Sequence, residues 1–257
     1  MNKLWKQFLL EAEENNEIDL PSLEIKDTLN MNVWQSESRI KPEVGSRLIQ
    51  IALDFIDSLD IAHEDVIDIV LTGSLANYNW TEYSDIDLHI LMDYRDIDDN
   101  TDLVRDFFNA KKADWNKIHR IIIKEHEVEI YIQDINEPHI STGIYSLLED
   151  QWLAKPSKRT PKIDYRSVEI KAKDLMNQID KIKDLLEKEN YEAAYNVGDM
   201  LRDKIKKLRR CGIMEKGVYS TENLVFKVLR NNEYIKKLLD TRISAYDNMM
   251  SLNHNAV

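Results

Sequence analysis

The spacing of hydrophobic residues along the chain predicts strands and helices in the first part and helices alone in the last part. Between residues 44 and 59 apolar positions recur every three or four residues, which is typical of a helix with one buried face. Residues 66–72 are rich in β-branched side chains and precede Gly73, so they predict a buried strand that stops at a turn. The predicted inner face of the helix carries Leu48, Ile51, Ala52, Phe55 and Leu59.

Strict alternation of apolar and polar residues predicts a second strand over residues 84–90, which read Ser-Asp-Ile-Asp-Leu-His-Ile. Side chains alternate between the two faces of a strand, so Asp85, Asp87 and His89 share one face while the apolar residues face a core. Two carboxylates on one face repel each other unless positive charge lies between them. Mg²⁺ is the candidate cation because it is commonly held by one or two carboxylates together with substrate phosphates. His89 is either a further ligand or a histidine that is hydrogen-bonded to a neighbour.

A third carboxylate is predicted on a later strand. Residues 127–132 alternate again and place Glu127 and Glu129 on the polar face. Glu129 is the preferred third acid because it lies in the middle of the strand, whereas Glu127 lies nearer the turn and is the alternative. Residues 121–123 predict the partner of this strand, and a helix is predicted over residues 103–118. The predicted inward residues of that helix are Leu103, Phe107 and Ala110.

The loop that opens with Gly73 and Ser74 is a candidate phosphate-binding turn. Glycine lets the backbone approach a ligand closely, and exposed backbone N–H groups together with the Ser74 hydroxyl can hold a phosphate. Asn77 and Ser84, in the same segment, are further candidates for nucleotide binding. The aromatic residues of the loop either stack on a base or pack against the protein: Tyr78, Trp80 and Tyr83.

The remaining pattern predicts three segments. Residues 1–43 form a short helix over residues 3–15 and an irregular lead-in. Residues 44–158 form an α/β domain that ends in a hairpin or a short helix around residues 144–154. Residues 159–257 form a domain of three or four helices packed as a bundle. The predicted fold class is therefore α+β, with a small mixed β-sheet, flanking helices and a helical bundle.

Within the helical domain, the helix that begins at residue 191 is predicted to stop near Gly212. Ser220 is the predicted N-cap of the next helix, on which Lys227 and Arg230 share one face. These two cations are candidates for binding a triphosphate. The last predicted helix carries the apolar residues Leu238, Leu239, Ile243 and Met249.

Composition and charge narrow the class of protein. The chain has 257 residues, of which 43% are hydrophobic and 32% charged, as is typical of a soluble globular protein. The net charge of −12 disfavours loose binding to nucleic acid, because such binding depends on neutralising phosphates. A basic run at residues 202–210 either binds RNA phosphates or forms the solvated end of its helix. The chain has a single cysteine, Cys211, which cannot form an internal disulfide, and the sequence shows no apolar run of secretory or membrane-spanning length. Both features favour a cytoplasmic location.

The Gly73-Ser74 pair, the spacer, the strand with Asp85 and Asp87, and the later acid together resemble the nucleotidyltransferase superfamily of the DNA polymerase β type. The segment Ser-Asp-Ile-Asp-Leu at residues 84–88 closely resembles the corresponding segment of the small bacterial members. The resemblance implies that Gly73 and Ser74 bind the triphosphate of an NTP, with ATP favoured. It also implies that Asp85 and Asp87 bind two Mg²⁺ ions and that Glu129 completes the site.

This resemblance covers residues 44–134 and implies transfer of a nucleoside monophosphate to a hydroxyl acceptor with release of pyrophosphate. A small molecule or a protein is favoured as the acceptor over long nucleic acid, and an RNA end is a further option. The chain departs from the family pattern at Tyr78, where many members have a second glycine, and at Leu75 and Asn77, where a basic residue is common. Residues 29–55 are also similar to nucleotidyltransferase-like proteins of large tailed phages, which brings no known substrate. The alternative function is a non-catalytic nucleotide-binding or protein-interaction module.

Overall fold

Strands and helices share the first part of the chain, and helices alone make up the last part. The computed structural model describes residues 20, 23–137, 141–158 and 161–252. The chain divides into two units, an α/β unit over Ser22–Thr160 and a helical unit that includes the chain from Pro161 onward. The helix predicted over residues 3–15 lies outside the described residues.

Eight strands lie in the described part of the α/β unit. Their bounds are β1 Trp34–Ser36, β2 Arg39–Ile40, β3 Asp68–Thr72, β4 Ile86–Met92, β5 Ile122–Ile123, β6 His126–Asp134, β7 Ile144–Ser146 and β8 Gln151–Ala154. β1 and β2 form a small hairpin, and the other six form one sheet in the order β5-β6-β4-β3-β7-β8. β4 and β6 pair in parallel, whereas the other neighbours in this sheet pair antiparallel. The fold class is α+β with a small mixed sheet, as predicted.

The strands predicted around the carboxylates are confirmed. β3 is buried along its whole length, and β4 alternates between buried apolar residues and half-buried polar ones. The connection from β5 to β6 places Lys124 and Glu125 at positive φ, as a two-residue hairpin turn of type I′ requires. Of the two options for residues 144–154, the structure shows the hairpin, formed by β7 and β8.

Three helices belong to the α/β unit within the described residues: α1 Pro42–Asp57, α2 Tyr94–Ile97 and α3 Thr101–Ile118. α1 confirms the predicted helix, and its predicted inner face is buried apart from Leu59, which packs against the core just past the helix end. The inward face predicted for α3 is wrong by one position. Leu103 and Phe107 are 60% and 43% exposed and Ala110 is exposed as well, whereas Val104 and Phe108 are buried.

The rotation of α3 is set by contacts that the hydrophobic spacing does not reveal. Asn116 donates from Nδ2 to the carbonyl oxygen of Ile130 and accepts from the N–H of Ile130, both at 3.2 Å. This pair of hydrogen bonds holds one face of the helix against the edge of β6. Val104 and Phe108 are buried in the main core, and Lys112 and Asn116 follow at intervals of about one helical turn.

The lead-in predicted as irregular contributes the β1–β2 hairpin and part of the core. Leu29, Val33 and Trp34 are fully buried in the same hydrophobic cluster as α1 and the apolar face of the sheet. The Trp34 ring stacks on Trp152 with centroids 4.7 Å apart and meets Tyr145 edge-on at 5.0 Å. These aromatic contacts join the small hairpin to β7 and β8.

The helical unit contains four helices in its described part: α4 Tyr165–Glu187, α5 Tyr191–Lys216, α6 Thr221–Asn231 and α7 Tyr234–Met250. Ser220 is the N-cap of α6 as predicted, since its hydroxyl accepts the N–H of Asn223 at 3.3 Å. The predicted stop of α5 near Gly212 is wrong. The helix continues to Lys216 and ends at Gly217, whose φ is 77°.

Gly212 serves packing rather than termination. A Cβ on this residue would lie 2.7 Å from the Cβ of Glu222 and 2.8 Å from Oγ of Ser220, so the missing side chain lets α5 approach the start of α6. α7 confirms the predicted last helix, in which Leu238 is buried whereas Leu239 and Ile243 are exposed. Among the described residues, every helix is too short or too polar to cross a membrane.

Asp68 is a buried acid at the start of β3. Its Oδ1 accepts the Ser146 hydroxyl at 2.9 Å and the N–H of Ile69 at 2.7 Å. Burial raises the pKa of this carboxyl, and the nearby Glu149 raises it further, although the hydrogen bonds act in the opposite direction. The folded protein therefore binds a proton at Asp68 more strongly than the unfolded chain does.

Asp68→Asn is expected to stabilise the protein at neutral pH. Because the folded-state pKa is raised, the contribution of Asp68 to stability is greatest below its ordinary pKa of 3.8 and falls as the pH rises through the raised value. The amide keeps an acceptor for Ser146 and removes the charge. Calorimetric melting curves recorded from below the ordinary pKa of Asp68 up to neutral pH should show a higher melting midpoint for the variant than for the wild type at neutral pH. The exposed Asp99→Asn is the matched control, and a lower midpoint for Asp68→Asn would contradict the prediction.

Candidate active site

A row of polar side chains crosses three strands of the sheet. The parallel register of β4 and β6 sets Asp87 opposite Glu129, and the antiparallel register of β3 and β4 sets Thr72 opposite Asp87. Asp85 comes immediately before β4. Neighbouring strands lie about 4.8 Å apart, so the register alone brings the backbones of Asp87 and Glu129 side by side.

The two alternatives for the third acid occupy different surroundings. Glu127 pairs with Ile122 of β5, and its carboxylate lies 3.5 Å from Nε of Arg120. Glu129 lies opposite Asp87 in the sheet. The register therefore favours Glu129 as the partner of Asp87, although its role as a metal ligand stays a prediction.

Gly73 lies directly against Asp87. Its φ is 75°, a conformation that residues with a side chain rarely adopt, and a Cβ built on it would lie 1.7 Å from Oδ2 of Asp87. The turn after β3 can therefore pass over the carboxylate only because residue 73 is glycine. This close approach puts the backbone of the Gly73-Ser74 turn next to the acidic row, by which we mean Asp85, Asp87 and Glu129.

Side chains within the turn hold its shape. The Ser74 hydroxyl donates to Oγ of Ser84 at 2.8 Å, and the same Oγ accepts the N–H of Thr81 at 2.9 Å. Asn77 donates from Nδ2 to the carbonyl oxygen of Gly73 at 2.9 Å. Ser84 and Asn77, predicted to bind nucleotide, thus stabilise the loop itself, and their contact with a nucleotide stays a prediction.

The lead-in anchors the same turn from outside. The indole N–H of Trp34 donates to the carbonyl oxygen of Leu75 at 2.8 Å, and the Tyr78 hydroxyl donates to the carboxylate of Glu37. Tyr78 is only 6% exposed, and burial together with Glu37 raises the pKa of its hydroxyl to about 12. The tyrosine that replaces the second glycine of the family pattern is therefore a structural anchor.

The other two aromatic residues of the loop differ in exposure. Trp80 donates from its indole N–H to the carbonyl oxygen of Thr28 at 2.9 Å, which is a second link to the lead-in. Tyr83 is exposed. Packing thus accounts for Tyr78 and Trp80, and base stacking by Tyr83 stays a prediction.

His126 is a buried residue of the site that sequence reasoning missed. Its Nδ1 lies 2.6 Å from the carbonyl oxygen of Ser84, and its Nε2 lies 2.8 Å from Nδ2 of Asn30. A carbonyl oxygen only accepts, so Nδ1 carries the proton, and Nε2 accepts from the amide group of Asn30. The imidazole therefore ties the lead-in and β6 to the residue that precedes Asp85.

Beyond the acidic pair, the polar face continues as a stack of rings. His89 lies opposite Tyr131, and their rings stack with centroids 4.9 Å apart. Nδ1 of His89 lies 2.7 Å from Oε1 of Gln133, so this nitrogen donates the hydrogen bond. The histidine is thus bonded to a neighbouring strand, in agreement with the second of the two interpretations.

Lys112 of α3 is the other residue that sequence reasoning missed. Its Nζ lies 3.4 Å from the centroid of the Tyr131 ring, in a cation–π contact. The side chain is half-buried, and burial lowers the pKa of the ammonium group overall, although the charges of Glu129 and Asp87 act in the opposite direction. Lys112 precedes Asn116 by one helical turn, but its neighbours on β6 cannot be inferred from that spacing.

The donor chemistry of the row fits Mg²⁺. Within the described part of the chain, no group of three or more His, Cys, Asp or Glu side chains is arranged to hold a metal ion by itself. Mg²⁺ is usually bound through one or two carboxylates with substrate phosphates and water, and Asp85, Asp87 and Glu129 offer carboxylate oxygens of this kind. Lys227 and Arg230 lie on α6 of the helical unit, and their contact with a triphosphate stays a prediction.

Gly73→Ala is expected to destabilise the protein and displace Asp87. Gly217→Ala is the matched control, because Gly217 has a similar φ of 77° and no atom within 4 Å of a built Cβ. Both variants should lose about 1–3 kcal/mol from backbone strain. Gly73→Ala should lose about 1–3 kcal/mol more from the clash with the carboxylate. Calorimetry on both variants measures the difference, and equal losses would show that the turn does not rest on Asp87.

One protein family matches the sequence that builds this arrangement. The model of the nucleotidyltransferase domain family matches residues 51–220, which is more than half of the chain. No curated protein matches the chain. Among solved structures, the chain is similar to the STING-associated CdnE c-di-GMP synthase from Capnocytophaga granulosa, with 14% identity, coverage of 95% of this chain and 93% of that one, and a TM-score of 0.22. A TM-score this low does not support any conclusion about the function of this chain. On the family match, the chain belongs to the nucleotidyltransferase domain family.

Proposed function

We propose that this protein transfers a nucleoside monophosphate from an NTP to a hydroxyl acceptor and releases pyrophosphate. The observation that supports this most is the row in which Asp87 lies opposite Glu129 and directly under Gly73. Carboxylates next to a glycine turn suit a triphosphate that brings its own cation. Family membership supports NTP chemistry in general.

The proposed step is a displacement at the α-phosphorus. The acceptor oxygen forms a bond to the α-phosphorus, and the bond from that phosphorus to the oxygen bridging the β-phosphorus breaks. The electron pair of the broken bond leaves with pyrophosphate, and the hydroxyl proton passes to the Glu129 carboxylate or to solvent. Most of the rate enhancement would come from positioning and charge stabilisation, as in phosphoryl transfer generally.

The residues of the α/β unit divide the work between phosphates and metal. Backbone N–H groups of the turn and the Ser74 hydroxyl would bind the phosphates. Asp85, Asp87 and Glu129 would hold Mg²⁺. When bound, Mg²⁺ supplies charge neutralisation for the triphosphate and lowers the pKa of an acceptor hydroxyl. Because Ser84, Asn77 and the lead-in fix the turn, the phosphates meet a preorganised site.

A small molecule or a protein is the favoured acceptor. The net charge of −12 opposes long nucleic acid, whose binding depends on phosphate neutralisation, whereas an RNA end needs fewer such contacts. Incubating the protein with each α-³²P-labelled NTP, ATP first, together with Mg²⁺ and a cell extract tests the proposal. Label in the metabolite, protein or RNA fraction with stoichiometric pyrophosphate identifies the acceptor class. Nucleotide binding without pyrophosphate release across all fractions would indicate a non-catalytic module instead.

Removal of the carboxylates is expected to abolish transfer without unfolding the protein. Asp85→Asn/Asp87→Asn and, separately, Glu129→Gln should each lower the rate by a factor of about 10² or more, since charge stabilisation in the transition state is lost. Pyrophosphate release measures the rate, and circular dichroism monitors the fold.

Glu127→Gln is the matched control for Glu129→Gln, because Glu127 lies two residues away on the same strand face but beside Arg120. It should retain most of the activity. Turnover in the double Asn variant at the wild-type rate would refute the assignment. Loss with Glu127→Gln but not with Glu129→Gln would move the third acid to the alternative position.

A further inference from the structure

The acidic row contains like charges on adjacent strands, and a cation of the chain itself lies beside it. Carboxylates directly opposite each other in a sheet are destabilising unless other charges offset the repulsion. Lys112 approaches this row from α3, on the side of β6 that does not pair with β4. Its ammonium lies over Tyr131, two residues beyond Glu129 on the same face of β6.

The position of Lys112 is fixed by packing on both sides. One helical turn after Lys112, the hydrogen bonds between Asn116 and Ile130 hold α3 against β6. The ammonium of Lys112 lies 3.4 Å from the centroid of the Tyr131 ring. Tyr131 is itself stacked on His89. A half-buried ammonium interacts more strongly with nearby charges than a solvated one, because less water screens it. Asp87 and Glu129 are the two charges that favour its protonated form.

We propose that Lys112 is an internal counter-charge for Asp87 and Glu129, which stabilises the acidic row when no divalent cation is bound and competes with that cation for the field of the carboxylates. The proposal rests on the proposed function only in that Mg²⁺ is the competing cation. It assigns Lys112 a positioning role, through the carboxylates, and no direct part in the transfer step.

The first test compares Lys112→Met with Lys111→Met. Methionine keeps much of the length of the apolar stem while removing the charge, so packing losses are small. Lys111 is the neighbouring exposed lysine, whose Nζ lies 5.5 Å from the Phe107 ring. In EDTA, Lys112→Met removes the cost of burying the charge as well as its attraction to the carboxylates, so the response to Mg²⁺ is the informative comparison. Addition of Mg²⁺ should raise the melting temperature of Lys112→Met more than that of wild type or Lys111→Met.

Metal binding without nucleotide gives the sign of the effect. Isothermal titration with Mg²⁺ should show tighter binding to Lys112→Met than to wild type, by about threefold to tenfold, because a competing positive charge is gone. Lys112→Arg keeps the charge and should bind Mg²⁺ as wild type does. Equal or weaker Mg²⁺ binding by Lys112→Met would overturn the proposal.

A double-mutant cycle in EDTA tests the interaction without metal or transfer. Glu129→Gln removes one of the repelling charges, so Lys112→Met should cost less stability in that background than in wild type. Equal cost in both backgrounds would mean that Lys112 acts through packing alone, and the proposal would fail. Because neither this cycle nor the titration uses turnover, its failure would leave the proposed transfer reaction to be judged separately by pyrophosphate release.

Discussion

The parallel pairing of β4 with β6 is the constraint on which the candidate site depends. This register sets Asp87 opposite Glu129, whereas a slip by one residue would turn one carboxylate into the core. The apolar residues that follow the two acids oppose such a slip, since Leu88 and Ile130 are fully buried on the other face. Core packing on one side of the sheet therefore fixes the chemistry on the other side.

The glycine turn is held by its surroundings rather than by a glycine-rich sequence. A second glycine would let the backbone adopt unusual conformations, but it would add no anchor. Tyr78 occupies that position and is bound to Glu37, while Trp34 fixes the carbonyl of Leu75. The lead-in thus compensates for the departure from the family pattern by restraining the turn from outside. The lead-in is itself anchored, because Leu29, Val33 and Trp34 are buried in the main core.

Much of the fold could be predicted because period and turn chemistry are local properties. The alternation of β4 and β6, the stripe of α1 and the cap at Ser220 each follow from residues within a few positions of one another. β1 was missed because a strand of three residues is too short to show a period. Glycine at position 212 matches the local pattern of a helix stop, whereas its actual role depends on how closely α6 approaches.

Local sequence patterns likewise indicated some residues of the candidate site but not others. Alternation predicted that Asp85 and Asp87 share one face and that Glu127 and Glu129 share another, and the mid-strand position of Glu129 made it the preferred third acid. His126 and Lys112 escaped because their partners, Ser84 and Tyr131, lie on other elements, far away in sequence. The same lack of tertiary information shifted the inward face of α3 by one position. The missed contacts and the shifted helix face both depend on how the elements are oriented relative to one another, which a hydrophobic pattern does not define.

The topology explains why α3 carries the remaining polar contacts to this row. Parallel neighbours cannot be joined by a tight turn, so a crossover must run between β4 and β6, and α3 is its main element. The crossover returns the chain to the edge of β6, where Asn116 bonds the strand and Lys112 lies one helical turn away. A connection that parallel pairing requires for topological reasons therefore places a cation beside two opposed carboxylates. The feature that creates the repulsion also supplies a residue that can offset it.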